Sequence, residues 1–237
     1  MPTERAYYDT EFCADPTFLP GYTVVHPISF GFASDTGREY YAIVKRNDWT
    51  SLAGINPWLV DNVYPSLPLV GEPRAGLTAW RLDPDHPEYR HVKTTEQIRD
   101  EVLEFLLPQG RAWAGSPELW SNFGCYDHFL LGQLYGDLGQ WPAGLHMFDF
   151  DLQHELARLG HPDVPEQSAG HHNALADARH NRTVGELLRA LADGSGNPRA
   201  VHLSPGTAVV HGTRHPFNPT DVRATAPATP ATEGEQP

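Results

Sequence analysis

The chain has 237 residues, 40% of them apolar and 20% charged, with a formal net charge of −13. That length supports one domain with a sizeable core, and no stretch approaches the roughly 20 apolar residues that a bilayer span needs. Two cysteines, Cys13 and Cys125, exclude a disulfide framework and a cysteine-rich zinc site.

The N-terminus, MPTERAYYDTEF, has no basic segment followed by an apolar run, so a secretory signal is not expected and the cytoplasm is the expected compartment. The predicted elements begin with a short aromatic strand over 6–12. Two more strands, 23–33 and 39–45, flank the polar SDTGR, which reads as a hairpin. Residues 94–107 carry Ile98, Val102, Phe105 and Leu106 at helical spacing, with Thr95 as a cap. A strand over 118–124 leads into a helix over 127–135, and another helix covers 151–159. The last helix, 174–192, carries an apolar stripe of Val184, Leu187, Leu188 and Leu191. Strands followed by alternating helices and strands predict an α/β domain over 4–200. From Pro205 to Pro237, 17 of 33 residues are Pro, Thr or Ala, which predicts a disordered tail.

Chemistry concentrates in a few acids. Asp9 and Glu11 lie two apart on a strand and therefore project from one face. Asp127 sits where strand gives way to helix, and Asp177 lies in the first turns of the last helix. Carboxylates converging from separate elements are what a pair of hard divalent ions requires. His172 precedes Asp177 by five residues, which on a continuous helix would leave the side chains about 140° apart. Sharing one site therefore places His172 before the helix begins, in the link GHHN. His171 is its competitor, and spacing favours His172. The acidic balance argues against a high-affinity, sequence-reading nucleic-acid binder, because phosphate contacts come mostly from lysine and arginine. It leaves room for a nuclease whose bound cations carry the positive charge.

The segments YYDTEF (7–12), GCYDHFLLGQLYG (124–136) and HHNALADAR (171–179) resemble the three exonuclease motifs of the DEDDh branch of the RNase T/DnaQ superfamily. Together with REYYAIV (38–44) and ELWSNFGCYDH (118–128) they are most similar to the actinobacterial polyadenylate-specific 3′-5′ exoribonuclease AS group. The resemblance implies an RNase H-like fold, a mixed five-stranded sheet flanked by helices. It implies two Mg²⁺ ions, with Mn²⁺ able to substitute, on Asp9, Glu11, Asp127 and Asp177, and His172 as general base. Glu11, Phe12 and His172 would contact substrate, Phe12 by stacking on the terminal base; Tyr126 and Trp120 read as core residues. The implied partners are nucleic-acid 3′ ends, RNA ahead of DNA, with no membrane and with a homodimer allowed. The implied product is a nucleoside 5′-monophosphate, from single-stranded or 3′-overhang RNA with a 3′-adenosine preference. Two other readings compete: a DNA exonuclease of the same superfamily, and an inactive nuclease fold serving as an interaction module.

Overall fold

β1 (Arg5–Leu19) and β2 (Tyr22–Ser34) form a long antiparallel pair, and β3 (Glu39–Val44) continues the meander, with Gly37 at φ 85° in the turn between β2 and β3. The strands alternate as a sheet buried on both faces requires. Ala42 and Val44 point into one apolar layer, and Tyr41 and Ile43 into the other. These coordinates are a computed structural model that describes residues 4–19, 21–108, 116–136 and 138–194. The expected tail, 205–237, lies outside the described residues.

After β3 the chain makes α1 (Trp49–Ile55), α2 (Trp58–Asn62) and a separate hairpin, β4 (Leu69–Arg74) with β5 (Leu77–Leu82). The hairpin turns through Ala75 and Gly76, both with positive φ, as a two-residue turn demands. β6 (Val92–Lys93) then pairs parallel with β3, and α3 (Thr95–Leu106) follows. Its cap is Thr94 rather than the expected Thr95: Thr94 accepts from the Gln97 N–H, and the Gln97 side chain accepts from the Thr94 N–H. Further along come β7 (Glu118–Ser121), α4 (Cys125–Tyr135), β8 (Phe150–Asp151), α5 (Leu152–Arg158) and α6 (Ala174–Ala192).

The main sheet has six strands, ordered β6-β3-β2-β1-β7-β8, rather than the five expected. The discrepancy lies at its edges. β6 and β8 each contribute two residues, paired Ile43↔Val92, Val44↔Lys93 and Trp120↔Phe150, Ser121↔Asp151. Two residues cannot show an alternation, so such pairings are invisible in sequence.

Two features of this sheet position the site. Glu11 lies opposite Ser29 but Phe12 lies opposite Pro27, so Ile28 is an extra residue on β2. Pro27 cannot donate to the ladder, and a bulge is where a strand tolerates proline. The second feature is the approach of α6. A Cβ on Gly31 of β2 would fall inside the backbone of Ala174 and Leu175, and one on Gly185 would fall inside the Tyr7 ring. Two glycines therefore let α6 lie directly on β1 and β2, with Ala174, Ala178, Asn181 and Leu188 buried along its inner face.

Candidate active site

The first turn of α6 meets the middle of β1, and α4 begins beside both. One cleft of about 340 Å³ results, lined among others by Asp9, Glu11, Phe12, Asp127, His172 and Asp177. All six residues singled out in the sequence thus face one space.

Asp127 enters from the first turn of α4, where a carboxylate is favoured by the positive end of the helix. Its Oδ1 accepts from the Thr10 backbone N–H at 2.8 Å and from the Thr10 hydroxyl at 2.6 Å. Asp177 occupies the first turn of α6, which Asn173 caps by accepting from the Ala176 N–H at 3.1 Å. Asp177 Oδ2 accepts from the His172 N–H at 3.0 Å, and Oδ1 from the Gln167 side chain at 2.6 Å. His172 lies just before the helix cap, as the five-residue spacing requires. Its φ of 61° is unusual for a residue with a Cβ. The conformation is held by its N–H bond to Asp177, by the Ser66 hydroxyl on its carbonyl at 3.2 Å, and by Trp58, whose ring stands edge-on to the imidazole at 4.6 Å.

The electrostatics are those of acids crowded out of water. Burial, then the charges of Asp127, Glu11 and Asp177, hold the Asp9 carboxyl well above its ordinary range. Glu11 is pushed up to about 9 by burial first, then by the charge of Asp177 and a hydrogen bond shared with it. Asp127 rises only to about 6, because the two Thr10 donors oppose its burial. Burial lowers the His172 imidazole despite the nearby Asp177 charge, which favours its neutral form. One ligand atom each of Glu11, His172 and Asp177 lies within 4.8 Å of the others, a spacing that could hold a cation.

The cleft also contains residues that sequence reasoning missed. Tyr126, expected in the core, is 42% exposed and tilts against Phe12 at 5.0 Å between ring centroids, so the two rings form one wall. It lies at the exposed start of α4, one residue from an inward-facing acid. Trp120 is buried against Tyr7 and Phe150, as expected. His180 and Asn181 line the cleft from α6, and their spacing of three and four from Asp177 could have revealed them. Asn122 and Gln167, also on the cleft wall, gave no such signal, nor did Trp58, which packs against His172.

A mixed α/β fold thus gathers four carboxylates and a histidine into one cleft. No family model matches the chain. Two curated proteins of Mycobacterium tuberculosis do, a 3′-5′ exoribonuclease from strain CDC 1551 / Oshkosh and one from strain ATCC 25618 / H37Rv. Each is 35% identical over 175 residues, which is 74% of this chain and 87% of the relative. The chain belongs to this family of 3′-5′ exoribonucleases and is an enzyme. Among the described residues no helix is long and apolar enough to cross a membrane.

Proposed function

We propose that this enzyme is a metal-dependent DEDDh exoribonuclease with an RNase H-like fold, which removes nucleoside 5′-monophosphates from the 3′ ends of RNA. The observation that carries the reading is the convergence of Asp9, Glu11, Asp127, Asp177 and His172 on one cleft. The relatives' activity supports RNA as the substrate.

The donor set fits divalent ions. Four carboxylates offer hard oxygen ligands of the kind Mg²⁺ and Mn²⁺ prefer. Three of those carboxylates have pKa values raised by burial, with like charges adding to it at Asp9 and Glu11, a cost that a cation would relieve. Asp9, Glu11, Asp127 and Asp177 would hold two ions. When bound, such ions stabilise the charge that develops on the phosphate and on the departing oxygen.

The chain's own groups do the rest. His172, whose burial favours the neutral form, accepts the proton of the attacking water. The bond between the terminal phosphorus and the 3′ oxygen of the preceding nucleotide breaks, and the 5′-monophosphate leaves. A cleft of about 340 Å³ lies at the low end of ligand pockets, which run to roughly 1,000 Å³. That is room for one terminal nucleotide, not for a continuous duplex, and it favours single-stranded or 3′-overhang ends. Phe12 and Tyr126, tilted against each other on the cleft wall, would stack on the terminal base; a preference for 3′ adenosine rests on the family resemblance alone. The ladder is disrupted at the bulge beside Glu11 and Phe12, and a backbone group left unpaired there would be a candidate to meet a 2′-hydroxyl.

The test is digestion of matched, end-labelled RNA and DNA oligoadenylates with Mg²⁺, Mn²⁺ or excess EDTA at one salt concentration. Stepwise loss of RNA mononucleotides with either metal and none in EDTA is the expected result. Full activity in EDTA would overturn the metal reading. Faster loss of the DNA would reassign the substrate.

A further inference from the structure

One acid of the proposed ion site is held by a part of the chain that the three exonuclease motifs do not contain. Both Asp177 oxygens accept from the link that precedes α6, and Oδ1 does so from the Gln167 amide at 2.6 Å. Gln167 is in turn fixed by its neighbours. Its amide nitrogen also donates to the Ala169 carbonyl at 3.2 Å, and its backbone oxygen meets the His171 ring at 2.9 Å. Gln167 therefore lies along the cleft wall with its donor aimed at a carboxylate.

A carboxylate oxygen has two lone pairs, so once Glu11 gives up the proton of the hydrogen bond it shares with Asp177, one donor on each oxygen of Asp177 leaves a lone pair on each for a cation. The same two donors fix how the carboxylate is rotated. Glutamine suits this place chemically. A lysine or arginine would bring a positive charge that competes with the cation, and a glutamate would add a fifth negative charge to a crowded site.

We infer that Gln167 is a positioning residue for the divalent-ion site, holding the Asp177 carboxylate in the orientation in which it meets a cation together with Glu11. The inference rests on the metal-dependent reading above. Groups that orient metal ligands are typically worth 10–100-fold in affinity.

The experiment is Mn²⁺ titration of the full chain by calorimetry, with melting of the metal-free protein measured alongside. Gln167→Met keeps the length of the side chain and removes the donor; Gln167→Ala removes both. Mn²⁺ affinity should fall by roughly 10–100-fold in both variants, while metal-free melting stays at the wild-type value. Wild-type affinity in Gln167→Met overturns the inference, because shape would then suffice. A fall in metal-free melting that accompanies the loss of affinity overturns it too, since Gln167 would then only hold the link folded. If the wild-type chain binds no Mn²⁺, the metal reading fails and the inference with it.

Discussion

Asp127 and Asp177 occupy equivalent places, each in the first turn of a helix that faces β1, yet they are secured in opposite ways. Asp127 takes two hydrogen bonds from a single residue of the central sheet, Thr10. Its helix starts at Gly124 without a side-chain cap. Asp177 starts from a helix that Asn173 caps, but its own bonds come from the irregular link, from Gln167 and His172. One acid is thus bonded to the central sheet, and the other to a link with no regular structure of its own. The arrangement divides the site between the central sheet and the link before α6, and the proposed general base belongs to the link.

The largest expected effect puts that contrast to the sharpest trial. Asp127→Ala and Asp177→Ala should each abolish RNA hydrolysis, but only the first should weaken the metal-free fold. Removing Asp127 strands two Thr10 donors in a buried place, at about 1–3 kcal/mol for each unsatisfied group. Each kcal/mol corresponds to about 2–4 °C of melting temperature in a chain of this size. Removing Asp177 relieves repulsion on Glu11, so melting should hold or rise. Equal destabilisation by the two changes would erase the distinction.

A smaller loss, roughly 10²–10⁴-fold in kcat, is expected for His172→Ala, the usual worth of a positioned general base. His171→Ala should cost less, since His171 is exposed and its ring is spent on the Gln167 carbonyl. Single-turnover rates would show the difference, and a more damaging His171→Ala would move the base by one residue.

The smallest effect is on stability against pH. Glu11 and Asp127 have folded-state pKa values of about 9 and about 6, above the ordinary carboxylate range near 4. The native state therefore binds more protons than the unfolded chain between these limits, and metal-free stability should fall as pH rises. Melting in EDTA should decline from about pH 4, most steeply up to about pH 6 where Asp127 and Glu11 both contribute, and more gently up to about pH 9 where Glu11 alone does. Saturating Mn²⁺ should flatten the curve. A metal-free protein that becomes more stable from pH 5 to 9 would contradict the crowding of acids described here.

How much of this was legible in the sequence follows the same division. α6 runs over 174–192 as its apolar spacing predicts, and β1 carries Asp9 and Glu11 toward one cleft. Both signals come from elements long enough to show a period. α4 begins at Cys125, two residues before the expected start, because Gly124 offers no capping side chain to mark the boundary. The segment 46–93 gave no reading at all. Its helices α1 and α2 have seven and five residues, too few for a 3.6-residue period to register. It nevertheless builds a second apolar layer around Trp49, Leu59 and Tyr64 and supplies Trp58, the ring against His172. Gln167 was equally silent, because a residue in a link is placed by the tertiary fold and not by any local rule.

Gly31 carries a consequence for anyone who would move this site elsewhere. The separation between α6 and the sheet is set there by a missing side chain, since even one methyl group would collide with the Ala174 backbone. Transplanting the four acids and the histidine onto a scaffold whose strand holds alanine at that place would lift the helix, and Asp177 with it, away from Asp9 and Glu11. A search for the same chemistry in distant sequences, or an attempt to engineer it, should therefore count this glycine among the site's requirements, although it touches no substrate and carries no functional group.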